Sequence, residues 1–263
     1  MRNPAIWDTH HHLQFDPIFH RREEALKAAG KAKIKGVIVP AFSPELWKRQ
    51  SQMIGNLRTK QALGVHPWWV PQQNFKELYV ETKLAFQNLP ELWGEDLVAI
   101  GEFGLDRSKP KFKSCFQDQI ELFRLHLKWA RKLELPAILH VVKAHGKALE
   151  LLAENESSVP GVVHSYSGPI ELIPRYNSLG LSLSYSHTLT ISEKARLALR
   201  NTPENHILFE TDGPRTDRAQ EPKSKDPASL IEVVKKASEI LGRSKEWCWS
   251  IHRENTSRIF GID

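Results

Sequence analysis

The chain has 263 residues and a mass of 30.1 kDa; 40% of its residues are apolar and 26% are charged, with 14 glycines and 16 prolines. This composition is typical of a globular domain and excludes a collagen-like or disordered chain. No apolar run approaches the roughly 18–20 residues of a membrane span, and the N-terminus cannot hold the apolar stretch of about 7–15 residues that a secretory signal needs. The net charge of +6 permits a polyanionic partner without requiring one.

Short apolar runs predict eight strands along the chain. In order they cover residues 5–9, 36–40, 62–65, 97–101, 137–140, 161–164, 181–184 and 207–210. A helix-length stretch lies between most of them. The clearest covers residues 115–133, and Pro136 ends it before the next strand. Its apolar stripe, with a period of 3.6 residues, consists of Phe116, Ile120, Phe123, Leu127 and Ala130. Two more helical patterns, near residues 227–241 and 245–260, are separated by Gly242.

The alternation of strands and helices predicts a parallel sheet. Eight such units in about 250 residues predict an α/β fold of the (β/α)8 TIM barrel type rather than an open doubly wound sheet. No internal repeat or Gly/Ser linker divides the chain, so residues 1–263 are predicted to form a single domain. The polar segment 211–227 follows the last strand and should be a loop on the catalytic face.

Cysteine usage indicates a reducing compartment. Cys115 and Cys248 are too few for a disulfide scaffold and have no C-x-x-C spacing. We therefore expect a cytoplasmic protein without a thiolate metal site.

The first predicted strand ends in three histidines. Because side chains alternate on an extended backbone, His10 and His12 share one face and His11 points away. An H-x-H pair at a strand end can hold one divalent cation through two imidazoles. The carboxyl ends of the other strands carry Glu102, His140, His164 and Asp212.

In a (β/α)8 barrel these strand ends converge on one mouth. Four imidazoles and two carboxylates are enough for two metal ions about 3.5–4 Å apart, with Glu102 bridging them. Besides Glu102, we assign His10, His12 and Asp212 to one ion and His140 and His164 to the other. A single histidine in a barrel is more often a packing residue than a ligand, and this interpretation is given to His20, His126, His187, His206 and His252. Six candidate ligands, each at a predicted strand end and none in mid-strand, favour a metal centre.

The site predicts hydrolysis by a metal-activated water, without a nucleophilic Ser or Cys. Nitrogen and oxygen ligands suit Zn²⁺ or Mn²⁺, and Mg²⁺ less well. Asp212 is the candidate general base, and the alternative is that it serves only as a ligand. Asp8 and Asp106 are expected to support ligands or turns rather than bind metal.

The successive motifs resemble those of the TatD family of metal-dependent deoxyribonucleases, from about residue 7 to 262. The matching segments are Asp8-Thr9-His10-His11-His12-Leu13, Gly64-Val65-His66-Pro67, Gly101-Glu102-Phe103-Gly104-Leu105-Asp106, Leu135-Pro136-Ala137-Ile138-Leu139-His140, His164-Ser165-Tyr166-Ser167-Gly168, Glu210-Thr211-Asp212-Gly213-Pro214 and a closing segment at 254–261. The resemblance implies a TIM barrel of the amidohydrolase-like superfamily, a two-metal site on the six residues, and hydrolysis of DNA phosphodiesters. The family also includes proteins that are described as acting on aminoacyl-tRNA esters, and others with no known substrate.

One position departs from the family pattern. In much of the family the histidine of the fifth strand is followed two positions later by an arginine that is expected to hold a phosphate. Val142 occupies that position here, and Lys143 follows it. A lysine can act as a point charge for a phosphate but cannot form a bidentate fork. Two alternatives therefore remain: either Lys143 makes the phosphate contact in place of the arginine, or this contact is absent.

Two features of the predicted mouth favour a nucleic-acid strand, although each also fits an ordinary surface loop. Basic residues follow two of the ligand motifs and could track phosphates. They are Arg107, Lys109, Lys111 and Lys113 after Glu102, and Arg215, Arg218, Lys223 and Lys225 after Asp212. Of Trp68 and Trp69, one could stack on a base and the other anchor the loop. His66, just before them, is expected to orient the substrate.

These observations predict a 3′–5′ exonuclease-type deoxyribonuclease that acts on DNA ends or single strands without sequence specificity. No motif for reading DNA sequence is present. No membrane contact or obligate protein partner is expected. One alternative is an acyl hydrolase for an ester, lactone, amide or aminoacyl-tRNA ester on the same site. A second is a metal-binding scaffold that has lost catalysis, which the presence of all six ligand types disfavours.

Overall fold

Eight parallel strands form one sheet in this computed structural model, which describes residues 5–16, 18–154, 159–214 and 226–263. Each strand pairs with the next one along the chain, so every connection crosses over the outside of the sheet. The strands are β1 (Trp7–Asp8), β2 (Gly36–Pro40), β3 (Thr59–Leu63), β4 (Leu97–Asp106), β5 (Ala137–Val142), β6 (Gly161–Val163), β7 (Leu181–Tyr185) and β8 (Ile207–Phe209). The prediction of a TIM barrel is confirmed, whereas the single domain over residues 1–263 stays a prediction.

The connections between the strands are helical, as the alternation predicted. Within the described residues the α-helices are α1 (Arg22–Lys31), α2 (Pro44–Ser51), α3 (Phe75–Gln87), α4 (Leu89–Trp93), α5 (Pro110–Ser114), α6 (Phe116–Leu133), α7 (His145–Ala153), α8 (Ile173–Ser178), α9 (Thr188–Ile191), α10 (Glu193–Asn201), α11 (Leu230–Leu241) and α12 (Lys245–Phe260). None of these helices is long and apolar enough to cross a membrane. Helix α6 ends at Leu133 because Glu134 adopts a left-handed conformation with a φ of 55°.

Apolar side chains fill the barrel at the end where the strands begin. The strands contribute Ile38, Ala62, Ala99, Ile138, Val162 and Leu208 to this cluster. Trp7 packs against them together with Ile259 and Phe260 at the end of α12. This end of the barrel is therefore closed by packing, and the polar side chains gather at the other end, where the strands finish.

The barrel closes between β8 and β1 through a short seam. The backbone N–H of His12 donates to the carbonyl of Gly213 over 2.6 Å, and the N–H of Asp212 donates to the carbonyl of His10 over 2.9 Å. Closer to the strands, the carboxyl group of Asp8 accepts a 3.0 Å hydrogen bond from the N–H of Thr211. The seam thus holds the ligand candidates of the first and the last strand next to each other.

His252 of α12 joins the two strands of this seam from outside. Its Nε2 lies 2.7 Å from the carbonyl oxygen of Trp7, and its Nδ1 lies 3.1 Å from the backbone N of Phe209. Since Nδ1 must accept from an N–H group, the ring is neutral and donates through Nε2. Burial lowers the pKa of this imidazole to about 4. The sequence-based interpretation of His252 as a packing residue is consistent with this structural role.

We expect acid to weaken the seam through His252. Its folded pKa of about 4 lies below the ordinary value of 6.5, so its contribution to stability is complete above about pH 6.5 and is lost as the pH falls towards 4. Between pH 7 and pH 5 the loss is about 2 kcal/mol. Urea unfolding at both pH values should show that His252→Gln lacks this part of the wild-type pH dependence. Equal pH dependence in the two proteins would contradict the assignment.

Gly104 in β4 lies where two backbones approach closely. A Cβ at this position would lie 1.8 Å from the carbonyl oxygen of His140 in β5. Because backbone atoms cannot give way as side chains do, we expect Gly104→Ala to lower the free energy of unfolding by at least about 3 kcal/mol. Gly146→Ala is the matched control, since no atom lies within 4 Å of its added Cβ in helix α7. Denaturant unfolding of both variants checks this, and an unchanged Gly104→Ala would contradict it.

Candidate metal centre

The six residues predicted as metal ligands converge at the mouth of the barrel. His10 and His12 follow β1, His164 follows β6 and Asp212 follows β8, whereas Glu102 and His140 lie inside longer strands than predicted. The expectation that no ligand lies in mid-strand is therefore wrong for these two. The pairing register of β4 and β5 shifts between Gly101 and Phe103, which leaves Glu102 unpaired at an irregularity. Such a bulge re-aims a side chain, here towards the barrel axis.

Glu102 occupies the centre of the cluster, and its two oxygens face different imidazoles. Oε1 lies 2.8 Å from Nε2 of His164 and 2.9 Å from Nδ1 of His140. Oε2 lies 3.3 Å from Nε2 of His10 and 3.5 Å from Nε2 of His12. Glu102 thus lies between two sets of histidines, where a bridging carboxylate would have to lie, and its bridging of two ions stays a prediction.

Asp212 lies at the edge of the cluster that is open to solvent. Its Oδ1 is 3.9 Å from Nε2 of His10, and its side chain is 17% exposed, compared with 1% for Glu102. The backbone of Asp212 is left-handed, with a φ of 53°. Asp212 therefore lies next to His10 and is also accessible from the pocket.

The charges and orphaned atoms of the cluster fit divalent cations. Burial raises the pKa of the Glu102 carboxyl group, but the imidazoles of His164, His66 and His10 outweigh burial and hold this pKa well below its usual range. Burial, reinforced by His10, lowers the pKa of His12. Oε2 of Glu102 is buried and makes no hydrogen bond. Within the described part of the chain, three groups of residues each bring their possible ligand atoms within 4.8 Å of one another: His10, His12 and Asp212; His10, Glu102 and His164; and His66, Glu102 and His140.

Two carboxylates orient the histidines on the Oε1 side of Glu102. Nε2 of His140 lies 3.2 Å from Oδ2 of Asp106, and Nδ1 of His164 lies 3.4 Å from Oε1 of Glu210. The carboxylate of Asp106 holds a proton on Nε2 of His140, so Nδ1 is the nitrogen that faces Glu102 and is available to a metal ion. Glu210 lies behind His164 at the longer distance, and Nδ1 of His164 makes no hydrogen bond. The expected supporting role of Asp106 agrees with this geometry. Sequence reasoning assigned no role to Glu210, although Glu210 directly follows β8 and lies two residues before Asp212.

His66 joins the cluster with the opposite tautomer. Its Nδ1 accepts a 3.0 Å hydrogen bond from the backbone N–H of Trp68, and burial lowers its pKa to about 4. The neutral ring therefore carries its proton on Nε2, which lies 3.1 Å from Oε1 of Glu102. A nitrogen that bears a proton cannot bind a metal ion. We therefore separate His66 from the ligands despite its distance, and regard it as a hydrogen-bond donor.

The tautomer of His12 depends on the side-chain amide of Gln14. The amide nitrogen of Gln14 lies 3.2 Å from Nδ1 of His12 and 2.7 Å from the carbonyl oxygen of Pro40. In this arrangement His12 carries its proton on Nε2, beside Oε2 of Glu102. A metal ion on Nε2 of His12 would move this proton to Nδ1, and the amide of Gln14 would then have to give up its contact with Nδ1. The backbone N–H that faces His66 is fixed in place, so the ligand role is assigned to His12 and stays a prediction.

The cluster forms the floor of a pocket of about 320 Å³. Aromatic side chains form part of its wall, namely Phe15, Phe42 and Trp68. Hydroxyl groups form another part, from Ser165, Ser167 and Thr188. The aromatic wall also supports two imidazoles, because Phe15 stacks on His12 and Phe42 stacks on His66, with ring centroids 4.9 and 4.8 Å apart. The pocket can therefore hold a small ligand with apolar and polar parts against the cluster.

The structure places the remaining predicted substrate contacts at different distances from the pocket. Trp68 is half-buried and lines the pocket, and Trp69 packs against the core. Val142 lines the pocket, whereas Lys143 is exposed and lies outside the lining. Of the basic residues after Glu102, Lys109 holds its Nζ 5.5 Å from the ring centroid of Trp68. Arg215, Arg218, Lys223 and Lys225 lie outside the described residues.

Comparisons with known proteins agree with this geometry. A family model described as TatD related DNase matches residues 7–261. The uncharacterized metal-dependent hydrolase YjjV of Escherichia coli (strain K12) is 31% identical over 212 residues, which are 79% of this chain and 78% of that protein. The 3′-5′ ssDNA/RNA exonuclease TatD of Citrobacter koseri is 30% identical over 256 residues, covering 92% and 93% of the two chains. The crystal structure of the TatD homologue YjjV from E. coli K12 superimposes with a TM-score of 0.85 at 27% identity, covering 98% of each chain.

Proposed function

This chain belongs to the TatD-related DNase family of metal-dependent hydrolases, and from that premise we propose that it is a single-domain 3′–5′ exonuclease for DNA ends or single strands. One observation carries the proposal: a buried carboxylate, Glu102, divides its two oxygens between two sets of imidazoles at the floor of an open pocket. A relative that is 30% identical bears the name of a single-strand exonuclease, which supports this substrate class.

We assign two divalent ions, of Zn²⁺, Mn²⁺ or Mg²⁺, to this cluster. His10, His12 and Asp212 would hold one on the Oε2 side of Glu102, and His140 and His164 the other on the Oε1 side. Ions bound there would lower the pKa of a coordinated water towards neutrality and offset the charge of a phosphate. The buried, nitrogen-rich donor set favours Zn²⁺ or Mn²⁺ over Mg²⁺.

The protein itself supplies a base and a donor. Asp212, which combines contact with His10 and exposure to the pocket, would take the proton of the attacking water. His66 lines the pocket as a neutral donor whose Nε2–H faces Oε1 of Glu102. With metal ions bound to Glu102, this N–H group would bind a non-bridging oxygen of the phosphate instead. Glu102 would hold the two sets of ligands in fixed positions relative to each other and would contribute a negative charge to both.

The pocket limits what reaches the metal centre. Its volume of about 320 Å³ lies at the low end of the range for ligand pockets, so it suits one terminal nucleotide rather than a duplex. Trp68 forms part of the wall beside this nucleotide, and Lys109 lies over its ring at the rim. Lys143, exposed beyond the pocket, would contact the next phosphate along the strand. None of these contacts reads a base edge, so we propose binding without sequence specificity.

Both cysteines are free and buried, the state that a reducing compartment preserves, and this supports our proposal of a cytoplasmic location. We also propose that the reaction needs no obligate protein partner.

The test is metal-dependent hydrolysis of an end-labelled DNA single strand, with a circular single strand of the same sequence as control. We expect shortening from the 3′ end with Mn²⁺, no reaction in EDTA and an intact circle. Equal cleavage of the circle would show an endonuclease. Intact DNA together with turnover of esters or lactones, by protein that holds metal, would contradict the proposal and favour acyl hydrolysis at the same site.

A further inference from the structure

Trp68 connects the wall of the pocket to the metal centre. Its ring stacks on Phe112 with centroids 5.7 Å apart and planes 5° apart, and Nζ of Lys109 lies 5.5 Å from its centroid. The same ring meets the edge of His140 at a centroid distance of 5.8 Å. Much of the indole surface is therefore already in contact with the protein, which leaves little of it for a base.

The polar edge of the indole points at Asp106. Its Nε1–H donates to Oδ2 of Asp106 over 2.6 Å, and the same oxygen lies 3.2 Å from Nε2 of His140. The other oxygen, Oδ1, accepts a 2.6 Å hydrogen bond from the backbone N–H of Ser108. The carboxylate is thus held at both oxygens, and Trp68 restrains the one that His140 uses.

We propose that Trp68 is a positioning residue for the metal centre, which acts through Asp106 on His140. By fixing Oδ2 of Asp106, it keeps the proton of His140 on Nε2 and aims Nδ1 at Oε1 of Glu102, 2.9 Å away. The inference rests on the proposed function, because it takes His140 to be a ligand. Residues that orient metal-binding histidines through a carboxylate typically change metal affinity by about 10–100-fold.

The test is a Co²⁺ titration of metal-free protein, followed by the visible absorption of the bound ion. Trp68→Phe keeps a ring against Phe112 but lacks the N–H group. We expect one Co²⁺ binding step to weaken by about 10–100-fold with a changed absorption spectrum, and excess Co²⁺ to restore hydrolysis. Trp69→Phe is the matched control, because Trp69 contacts Phe42 and the core instead, and it should bind Co²⁺ as the wild type does. An unchanged Co²⁺ affinity with a raised KM would instead show base stacking and overturn the inference.

A double-mutant comparison isolates the path through the carboxylate. Asp106→Asn should weaken the same binding step, and adding Trp68→Phe to it should cause no further loss of Co²⁺ affinity. Independent, additive losses would overturn the path through Asp106. Wild-type protein that binds no Co²⁺ would contradict the proposed function and the inference together. Wild-type binding with an unaffected Trp68→Phe would overturn the inference alone.

Discussion

Glu102→Gln should lose at least about 10⁴-fold in kcat/KM, which corresponds to about 5.5 kcal/mol of transition-state stabilisation. Oε1 and Oε2 of Glu102 face separate sets of imidazoles, and an amide can offer an acceptor oxygen to only one set. The NH₂ group of the glutamine would face the other set of imidazoles. The negative charge of the carboxylate, which both sets now contact, would be absent. We therefore expect metal content to fall along with the rate, which elemental analysis of the purified protein measures.

The control for this prediction is Glu81→Gln, since Glu81 is exposed on α3 and does not line the pocket. It should keep the activity and metal content of the wild type. Circular dichroism checks that Glu102→Gln remains folded, because the two side chains have nearly the same volume. A Glu102→Gln protein that retains both metal and hydrolysis would show that this cluster is not the active site.

Asp212→Asn should lower kcat by about 10²–10⁴-fold while saturating metal still binds. The asparagine keeps an oxygen near His10 but cannot take a proton from water. The variant therefore distinguishes a general base from a residue that is only a metal ligand. Kinetics at saturating Mn²⁺, together with the Mn²⁺ content, measure both. Asp118→Asn, at a half-buried position on α6 outside the pocket lining, is the matched control and should change neither quantity.

The opposite result for Asp212 is equally specific. A kcat within about threefold of the wild type at saturating Mn²⁺, combined with weaker binding, would show that Asp212 is a ligand only. The exposure of Asp212, which is 17% compared with 1% for Glu102, is the structural reason to expect the catalytic role.

Local sequence patterns predicted most of the fold. Strand β2 (Gly36–Pro40) and helix α12 (Lys245–Phe260) have the predicted bounds, since an apolar run and a helical period bounded by Ser244 and Gly261 are local signals. Strand β3 begins at Thr59, three residues earlier than predicted, because pairing with β2 recruits the polar residues 59–61. Strand β4 likewise extends to Asp106 by pairing with β5 beyond its apolar run.

The sequence by itself determined which six candidate ligands meet at the mouth of the barrel. Strand order and parallel direction bring the carboxyl ends of the strands together, so residue type and position at those ends were sufficient to select His10, His12, Glu102, His140, His164 and Asp212. The assignment of these residues to two separate ions stays a prediction, because His10 also lies close enough to share an ion with Glu102 and His164.

Only the tertiary structure decided how these side chains are used. An imidazole becomes a ligand or a donor according to the partner of its second nitrogen, and that partner comes from another strand or loop. Asp106, which contacts Nε2 of His140, lies 34 residues before it in the sequence. The backbone N–H of Trp68 donates to Nδ1 of His66 and so leaves the proton of His66 on Nε2. No periodicity records such contacts, because hydrogen bonding between distant residues exists only after the barrel has closed.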